Sequence, residues 1–496
     1  MISPTESGFT RQTPPSLPTR RSIYRGGAWH PPVDGRKTEV ISPATGASLG
    51  EVADGSALDA EAAIASAREG FGIWRRVQPM ERARILRQIA ARIRDHAEEL
   101  ALIDAADCGN PVTAVMGDVA AAAAQLDFFA GLVTEMKGQS VPLGPDCVNF
   151  SVREPRGVVA KILPFNHPFM FCAGKIAAPL AAGNTVVVKP PEQSPLSSLR
   201  FAELIDGMLP PGVFNLVPGG RDVGEVLSSH PDVAMVSLIG SVNTGRAVMH
   251  AASRTIKPVL LELGGKNALI AYPDADPAEV GRAMVEGMNF TWCGQSCGST
   301  SRAFIHASIY EAALDHARTA CGAYRPGLPT SRETTMGAMI SRRQYDQTLA
   351  YIASGRSQGA RLVTGGWPPQ DPALANGFFI EPTIFADVTA DMTIASEEIF
   401  GPVLAVARWD DEMAMLNEVN VVRYGLTCSI WTNDLRRAHL AAQAVEAGYV
   451  WVNEVARHFL GTPFGGYKQS GLGREECLEE LLCYTQEKNI HIRLTR

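Results

Sequence analysis

The sequence predicts an α/β fold that contains a doubly wound parallel sheet, a second α/β unit and a small β extension. Short β-rich runs alternate with helix-length stretches between residues 157 and 264, which is typical of βαβ units and a parallel sheet. A second alternation of strands and helices begins at residue 265. Two further strand-like segments, 138–155 and 484–496, belong to neither unit and would need a neighbouring strand, which another subunit could supply.

Composition narrows the class of protein. The chain has 496 residues, of which 46% are hydrophobic and 20% charged, enough for two or three domains with large cores. A formal charge of −7 and a pI near 5.9 argue against a nucleic-acid partner or an anionic membrane surface. No run approaches the ~20 apolar residues of a membrane span. Nine cysteines without regular spacing are typical of reduced thiols, so we expect a cytoplasmic protein.

The N-terminal region is predicted to be an arm followed by helices. Residues 1–21 lack the apolar segment of a targeting signal, and we expect a disordered arm. Ser56 and Asp59 form a candidate capping box for the first helix. A second helix follows Pro79 and ends near Gly109, and an Ala-rich third follows it.

The two α/β units are predicted from their β-rich runs. A doubly wound sheet binds nucleotides beyond the carboxyl ends of its strands, so the first unit is a candidate nucleotide-binding domain. Its strands are predicted at 157–163, 185–188, 213–217, 233–239 and 258–263. Those of the second unit are predicted at 302–309, 402–408, 427–431 and 449–453.

Several common motifs are missing from the sequence. There is no GxxxxGK[ST], no GxGxxG, no HExxH and no CxxC, so no metal site is expected, and a nucleotide would have to be bound by other means. The run 294–298 fits the G-x-S-x-G elbow of hydrolases, with Ser296 as nucleophile. That elbow requires a strand before the serine and a helix after it. Here the order of the predicted elements is inverted, which disfavours a serine hydrolase.

Cys297 is the better candidate nucleophile in this run. A thiol is softer than a hydroxyl and partly ionised near neutral pH. Gly294 and Gly298 allow the backbone to approach a ligand closely. Cysteines are nevertheless more often small buried hydrophobes than catalysts, and Cys293 is an equally good candidate on this pattern alone.

Two polar residues follow predicted strands. Glu262 ends an apolar strand directly before a Gly-Gly turn, where a carboxylate is either a base in a pocket or an acceptor of backbone hydrogen bonds. Asn166 lies between a strand and a helix in PFNHP. It is either a helix N-cap or an amide donor to a developing oxyanion.

Taken together, the motifs resemble those of the aldehyde dehydrogenase superfamily, from about residue 25 to the C-terminus. They occur in that family's order, and Glu262 precedes Cys297 by a few dozen residues, as the family's base precedes its cysteine. The motifs are PFNHP (164–168), VVVKPPEQSP (186–195), IGS with a following Gly (239–245), LELGGKN (261–267), GQSC (294–297), EEIFGPVL (397–404) and PFGGYKQSGLGRE (463–475).

The resemblance implies a role for each catalytic candidate. Cys297 would attack an aldehyde carbonyl to give a thiohemiacetal, whose oxyanion Asn166 and the Cys297 N–H would hold. Hydride would pass to a nicotinamide and leave a thioester on Cys297, and Glu262 would activate the water that hydrolyses it.

The resemblance also implies a cofactor site. Lys189 and Glu192 would bind the adenosine ribose hydroxyls, and the Glu192 carboxylate would repel a 2′-phosphate, which favours NAD over NADP. Ser241 would contact the pyrophosphate at a helix N-terminus. The implied cofactor residues are Lys189, Glu192, Gly240, Ser241, Gly245, Glu398, Phe400 and Phe165.

The sequence departs from the family at the walls of these pockets. Phe165 and His167 replace the usual Trp and Phe around the asparagine, and Leu238-Ile239 replaces Phe-Thr. We expect His167 to be a wall of the substrate pocket rather than a proton shuttle, because Glu262 already supplies the base.

A hydrophobic or aromatic aldehyde is the preferred substrate. An aromatic lining suits it, although each lining residue could equally be core packing. Arg457 and His458 offer the alternative of a semialdehyde whose carboxylate is held by charge. The candidate lining residues are His167, Phe171, Trp292, Phe459 and Phe464.

The implied organisation has three parts and an oligomer built through the extra strands, either a homodimer or a homotetramer. An acylating enzyme that transfers to coenzyme A is disfavoured because such members typically lack the glutamate. A catalytically silent binding protein is disfavoured because Cys297 and Glu262 are both retained. The predicted ranges are 22–135 and 156–264 for the NAD-binding domain, 265–460 for the catalytic domain, and 136–155 and 478–496 for the oligomerisation strands.

Overall fold

Two mixed sheets, joined by the short segment 264–267, organise the chain in a computed structural model that describes residues 15–495. Helices pack on the faces of both sheets, which confirms the predicted α/β class. Of the predicted disordered arm, residues 1–14 lie outside the described residues. In the remainder, the Thr19 hydroxyl and the Arg20 N–H donate to Glu203 Oε1 at 2.9 and 2.6 Å.

The strands and helices are as follows. The strands are β1 Ile23–Arg25, β2 Ala28–His30, β3 Lys37–Ile41, β4 Ser48–Ala53, β5 Cys147–Pro155, β6 Val158–Ile162, β7 Thr185–Lys189, β8 Phe214–Leu216, β9 Val233–Gly240, β10 Val259–Leu263, β11 Ala268–Ala271, β12 Arg302–His306, β13 Arg361–Thr364, β14 Thr383–Ala386, β15 Val403–Trp409, β16 Tyr424–Gly425, β17 Thr427–Trp431, β18 Tyr449–Val452, β19 Tyr467–Lys468, β20 Gly471–Leu472 and β21 Thr485–Arg493. The α-helices are α1 Ala57–Trp74, α2 Pro79–Asp95, α3 Ala97–Cys108, α4 Val112–Gly131, α5 Pro168–Gly174, α6 Ala177–Ala181, α7 Leu196–Leu204, α8 Arg221–Ser229, α9 Val242–Ser253, α10 Pro277–Gly287, α11 Tyr310–Cys321, α12 Arg342–Ser357, α13 Thr393–Ser396, α14 Glu412–Asn420, α15 Leu435–Ala444 and α16 Leu478–Cys483.

The first sheet is doubly wound, and its strand order is β2-β1-β8-β7-β6-β9-β10-β20. The five central strands, β8 to β10 in this order, are parallel, and the strands at both edges are antiparallel. From β6 the chain winds through β7 to β8 on one side and through β9 to β10 on the other. The order therefore reverses between β6 and β9, and such a switch point is where open α/β sheets bind ligands.

The second sheet has the order β13-β14-β15-β12-β11-β17-β18, and all neighbours are parallel except β13 and β14. Because the chain passes from the end of β10 directly into β11, the carboxyl ends of the first sheet face the amino ends of the second. This meeting of the two edges positions the candidate site.

The helices near the N-terminus differ in two respects from those predicted from the sequence. The capping box is present, since the Ser56 hydroxyl accepts from the Asp59 N–H and Asp59 Oδ2 accepts from the Ser56 N–H at 2.9 Å. The predicted second helix is divided at His96, which has non-helical backbone angles, into α2 and α3. The 20-residue α4 is long and apolar enough to span a membrane by length and composition, contrary to the sequence analysis. Its buried face packs against α2, α3 and α5 within the core.

The two predicted extra strands are β5 and β21. They pair with each other, antiparallel over nine residues from Thr485 opposite Pro155 to Arg493 opposite Cys147. The neighbour that each strand needs is therefore supplied within the chain. Residues 139–141 pair with the outer edge of β5, with Ser140 opposite Phe150, whereas the outer edge of β21 pairs with no strand among residues 15–495.

Candidate active site

The polar residues predicted in the first sheet come together at its carboxyl edge. Lys189 is the last residue of β7, Gly240 is the last of β9, and Glu262 lies near the end of β10. Asn166 follows β6. Parallel strands bring these four positions to one edge, beside the switch point.

Glu262 is a buried carboxylate without a hydrogen-bond partner. Neither of its side-chain oxygens bonds to any residue in the described part of the chain. Gly465 lies against it, since a Cβ there would be 2.9 Å from Glu262 Oε1. Burial, and next the nearby Glu475, raise the pKa of Glu262 well above its ordinary value. A carboxylate with a raised pKa is a stronger base for a proton from water.

A buried ion cluster that the sequence analysis missed lies behind Glu262. Lys175 Nζ lies 2.9 Å from Glu475 Oε2 and 3.7 Å from Glu476 Oε1. Burial lowers the pKa of Lys175, but these carboxylates and Glu480 outweigh it, so the pKa lies above the ordinary value. Burial acts to raise the pKa of Glu476, but Lys175 and His458 hold it at about 2. The sequence did offer one signal for this cluster, since Lys175 is a single lysine inside an apolar helical stretch.

Cys297 lies on the loop between α10 and β12, and hydrogen bonds from outside the loop hold it. Asn267 Nδ2 donates to the carbonyl oxygens of Cys297, at 2.6 Å, and Ser299, at 3.0 Å. The Thr427 hydroxyl donates to the Gly298 carbonyl at 3.2 Å. Cys297 is partly exposed. Burial, then the charges of Glu262 and Glu398, raise the pKa of its thiol to about 12.

Cys293 has a different environment on the same loop. It is fully buried, and its Sγ donates to the Gly337 carbonyl oxygen at 2.9 Å. The loop follows α10 and precedes β12, as the sequence analysis expected. The strand-then-helix order of a hydrolase elbow is therefore absent around Ser296, where all the flanking residues are described.

Asn166 is held by its backbone. Asn110 Nδ2 donates to the Asn166 carbonyl at 2.8 Å, while Asn166 Oδ1 is buried without a partner in residues 15–495. The N-cap of α5 is His167, not Asn166, which removes the capping interpretation. The Asn166 amide group is therefore free of a structural hydrogen bond in the described chain.

The residues predicted to bind a cofactor line the same edge. Lys189 Nζ lies 3.6 Å from Glu192 Oε1, at the end of β7. Ser241 caps the 12-residue helix α9 and accepts from the Thr244 N–H, so the helix N-terminus opens at the switch point. Gly245 permits α9 to pack closely, since a Cβ there would lie 2.7 Å from the Leu263 side chain. A charged pair and a helix N-terminus along this edge fit the ribose and pyrophosphate of a dinucleotide.

A second group of predicted cofactor residues lies between the sheets. Glu398 Oε1 accepts from the Gly265 N–H at 2.9 Å, and burial raises the Glu398 pKa to about 7. The rings of Phe165 and Phe400 meet edge to face, with centroids 5.8 Å apart. Phe165 follows β6 and Phe400 precedes β15, so this contact joins the two facing edges.

Three of the predicted substrate residues form one cluster. The His167 ring lies 5.6 Å from Phe171 and 5.4 Å from Trp292, centroid to centroid. Asp118 of α4, which the sequence analysis missed, bonds to His167 Nδ1 at 2.8 Å. Nothing in the spacing of Asp118 and His167 signalled this contact, because it depends on how α4 packs against α5.

Of the two remaining predicted substrate residues, only Phe464 has a ring contact in the described part of the chain, in a second cluster with His458. Phe464 is buried, and its ring centroid lies 4.5 Å from His458. His458 Nδ1 also lies 3.4 Å from Glu476 Oε2. Phe459 is 57% exposed, so it does not belong to the packed core. Arg457 is exposed and lies 3.9 Å from Glu454.

Comparison with known proteins identifies the family. The model of the Aldehyde dehydrogenase family matches residues 29–490. The chain belongs to the aldehyde dehydrogenase family. It is 49% identical, over 97% of its length and 94% of the relative's, to aldehyde dehydrogenase tropH of Talaromyces stipitatus.

Solved structures share the fold over nearly the whole chain. The NAD+ complex of an aldehyde dehydrogenase from Bacillus cereus is 36% identical with a TM-score of 0.93, covering 96% of this chain and 97% of that one. A P. syringae AldA indole-3-acetaldehyde dehydrogenase mutant in complex with NAD+ and IAA is also 36% identical, with a TM-score of 0.93 and coverage of 97% and 98%. The predicted resemblance is confirmed. The chain is an aldehyde-oxidising dehydrogenase that uses a nicotinamide cofactor.

Proposed function

We propose that this aldehyde dehydrogenase oxidises a hydrophobic or aromatic aldehyde to a carboxylic acid, with NAD, through a thioester on Cys297. The observation that carries the proposal is that a partly exposed thiol and an unpartnered, buried carboxylate both lie where the sheets meet, since Asn267, five residues after Glu262, donates to the Cys297 carbonyl. A nucleophile next to a base is the arrangement that covalent catalysis requires.

The chemistry assigns one task to each residue. The Cys297 thiol gives its proton to water and its sulfur bonds to the aldehyde carbon, while the carbonyl oxygen becomes an oxyanion to which the Asn166 amide and the Cys297 N–H donate. Loss of hydride from that carbon leaves a thioester on Cys297. Glu262 then takes a proton from water, whose oxygen attacks the thioester carbon, and the carbon–sulfur bond breaks to release the acid and the thiol. Nicotinamide, when bound, supplies the hydride acceptor.

NAD is the proposed cofactor, rather than NADP. Glu192 is about half exposed at the end of β7, next to Lys189. A carboxylate at that position accepts ribose hydroxyls and repels a 2′-phosphate. The Glu192→Gln variant should therefore narrow the ratio of kcat/KM for NAD over NADP, and an unchanged ratio would remove Glu192 from this role.

The aromatic cluster supports the substrate class. Phe171 and Trp292 flank His167 close to Asn166 and offer flat apolar surface to a ring. The alternative semialdehyde site is less well supported, because Arg457 lies exposed beside Glu454 and His458 lies beside Glu476. Their charges are already opposed by carboxylates of the same chain.

The experiment that tests the function is a cofactor-reduction assay. Absorbance of reduced nicotinamide is followed with NAD or NADP and a panel of short aliphatic, long aliphatic, aromatic and carboxylated aldehydes. We expect reduction with NAD and the hydrophobic or aromatic group. A carboxylated aldehyde as the best substrate would favour the semialdehyde alternative. No reduction by folded protein with a titratable Cys297 thiol would contradict the proposal.

We also propose a homodimer or homotetramer assembled through the β5–β21 ribbon, in a cytoplasmic protein. The ribbon exposes apolar side chains, among them Val148 and Ile492, and the outer edge of β21 pairs with no other strand in the described chain. All nine cysteines are free, as expected for a reducing compartment. Light scattering on the purified enzyme measures the assembly, and Ile492→Asp should weaken it. A monomeric wild-type protein would contradict this assignment.

A further inference from the structure

We propose that His167 and Asp118 form a recognition pair that selects an aromatic aldehyde bearing an oxygen acceptor, a ring hydroxyl or carboxylate. The inference rests on the proposed function and specifies its substrate class. It assigns to His167 a hydrogen-bonding task in addition to that of a pocket wall, and it gives Asp118 a positioning role.

The pair has a fixed geometry. Asp118 projects from α4, His167 precedes α5, and Asp118 Oδ2 lies 2.8 Å from His167 Nδ1. With Nδ1 engaged, the ring orientation is set and the opposite nitrogen, Nε2, is left for another partner. No residue of the described chain bonds Nε2, and 13% of the His167 side chain stays exposed, so the ring is open to a small molecule.

The charges around His167 favour its protonated form. Burial lowers its pKa, but the carboxylates of Asp118 and Asp104 outweigh burial and raise it above the ordinary value. Asp104 lies on α3, where the Ser197 hydroxyl donates to its Oδ1 at 2.6 Å. An imidazolium donates from both nitrogens, so Nε2–H is a charge-assisted donor while Asp118 balances the charge.

A second unused donor lies beside the first. Trp292 Nε1 is buried and has no partner in residues 15–495, although its ring lies 5.4 Å from His167. Buried N–H groups are almost always paired, and an unpaired one favours any ligand that supplies an acceptor. Phe171 adds an apolar ring, whose centroid lies 5.6 Å from that of His167. Two free donors beside aromatic rings are complementary to an oxygen-bearing ring.

The test compares matched benzaldehydes in the full-length enzyme. Each hydroxybenzaldehyde and carboxybenzaldehyde isomer is assayed beside the methyl isomer, which has a similar size and no acceptor. The measured quantity is the ratio of kcat/KM for the acceptor over the methyl compound. We expect wild type to favour the acceptor at one ring position by about 10- to 100-fold, the range for a hydrogen bond to a charged group. The hydroxyl and carboxylate series show which acceptor is preferred.

Three variants separate recognition from packing. His167→Phe removes the donor and should reduce the ratio to near one, whereas His167→Gln keeps an N–H and should retain part of it. Asp118→Asn removes the charge that raises the His167 pKa. The raised pKa keeps the donor present at low pH, and the donor is lost as pH rises through that pKa. In Asp118→Asn the preference for the carboxylate should therefore disappear at a lower pH than in wild type, whereas a hydroxyl can still donate to the neutral Nε2.

The outcomes are distinct. Equal rates for acceptor and methyl compounds in wild type would overturn the inference and leave the proposed function intact. Equal losses for both compounds in His167→Phe and His167→Gln, with no change in the ratio, would assign His167 to packing. Oxidation of aliphatic but no aromatic aldehydes would also overturn the inference. Oxidation of no aldehyde at all would contradict the proposed function itself.

Discussion

Cys293 and Cys297 lie on one loop, four residues apart, and the structure gives them opposite environments. Cys293 is fully buried, and its sulfur donates to the Gly337 carbonyl. Cys297 is partly exposed, and Asn267, five residues after Glu262, donates to its carbonyl oxygen where the two sheets meet. The first thiol bonds to its own chain, whereas the second is partly exposed beside the facing edges of the two sheets. Environment, not residue type, distinguishes the structural cysteine from the proposed nucleophile.

The largest effect should come from removing the proposed nucleophile. Cys297→Ala should lower kcat by more than about 10⁴-fold, the order seen when a covalent enzyme loses its nucleophile. Hydrolysis of activated esters should disappear with it, because both activities use the same sulfur. Both rates are measured on variant protein whose circular dichroism matches wild type. Activity near that of wild type in Cys297→Ala would show that Cys297 is not the nucleophile.

Removing the base should have the next largest effect. Glu262→Gln keeps the side-chain size and removes the proton acceptor, which should slow turnover by about 10²- to 10⁴-fold. Thioester formation should be affected less than its hydrolysis, so an acyl group should accumulate on Cys297 and not on Cys293. Peptide mass spectrometry after quenching locates the added mass. Slow turnover without an adduct would place the defect before the thioester.

The pH dependence of hydrolysis tests the electrostatics of Glu262. Its raised pKa means that Glu262 is protonated, and inactive as a base, to a higher pH than an ordinary glutamate. Hydrolysis of the thioester should therefore rise as pH rises through a value well above that range. Lys175 lowers the Glu262 pKa, so Lys175→Gln should move this limb to still higher pH. If hydrolysis by the wild-type enzyme instead rose at the ordinary pKa of a glutamate, Glu262 would not be the unpartnered, buried carboxylate described above.

Sequence patterns predicted most of the fold around the site. The five central strands of the first sheet match the predicted runs closely, because fully buried parallel strands are continuous apolar segments. The hairpin of β3 and β4 was missed, since its strands alternate weakly and are largely exposed. The break between α2 and α3 at His96 was missed because histidine is neither a typical helix cap nor a residue type that usually ends a helix.

The site was predicted by motif order, and its surroundings were not. Glu262 and Cys297 stand in recognisable runs, but Asp118, Lys175 and Asn267 act through contacts between distant elements. Asp118 meets His167 across two packed helices, and Lys175 meets Glu475 across 300 residues of sequence. Such pairs depend on tertiary packing, which local spacing does not encode.

A smaller effect is expected from the residue that fixes the Cys297 loop. Asn267→Ala removes the donors to the Cys297 and Ser299 carbonyls and the acceptor for the Thr427 N–H. The loop should shift, and kcat should fall by about 10- to 100-fold, because small displacements of reacting groups are costly. The rate of Cys297 alkylation should change as well, which a purely global loss of stability would not produce below the unfolding transition. An unchanged kcat would show that the loop is held without Asn267.

The smallest effect on activity should come from the other thiol. Cys293→Ala leaves the Gly337 carbonyl without its donor in a buried site, which should lower the free energy of unfolding by about 1–3 kcal/mol. Cys293→Ser keeps a donor and should lose less. Urea unfolding measures the stability, and we expect kcat to stay within about threefold of wild type for both variants, since the lost bond lies on the core side of the loop. A loss of kcat as large as that of Cys297→Ala, in folded protein, would mean that the structural assignment of Cys293 is wrong. Both thiols would then be needed for activity, and burial would not distinguish the structural cysteine from the nucleophile.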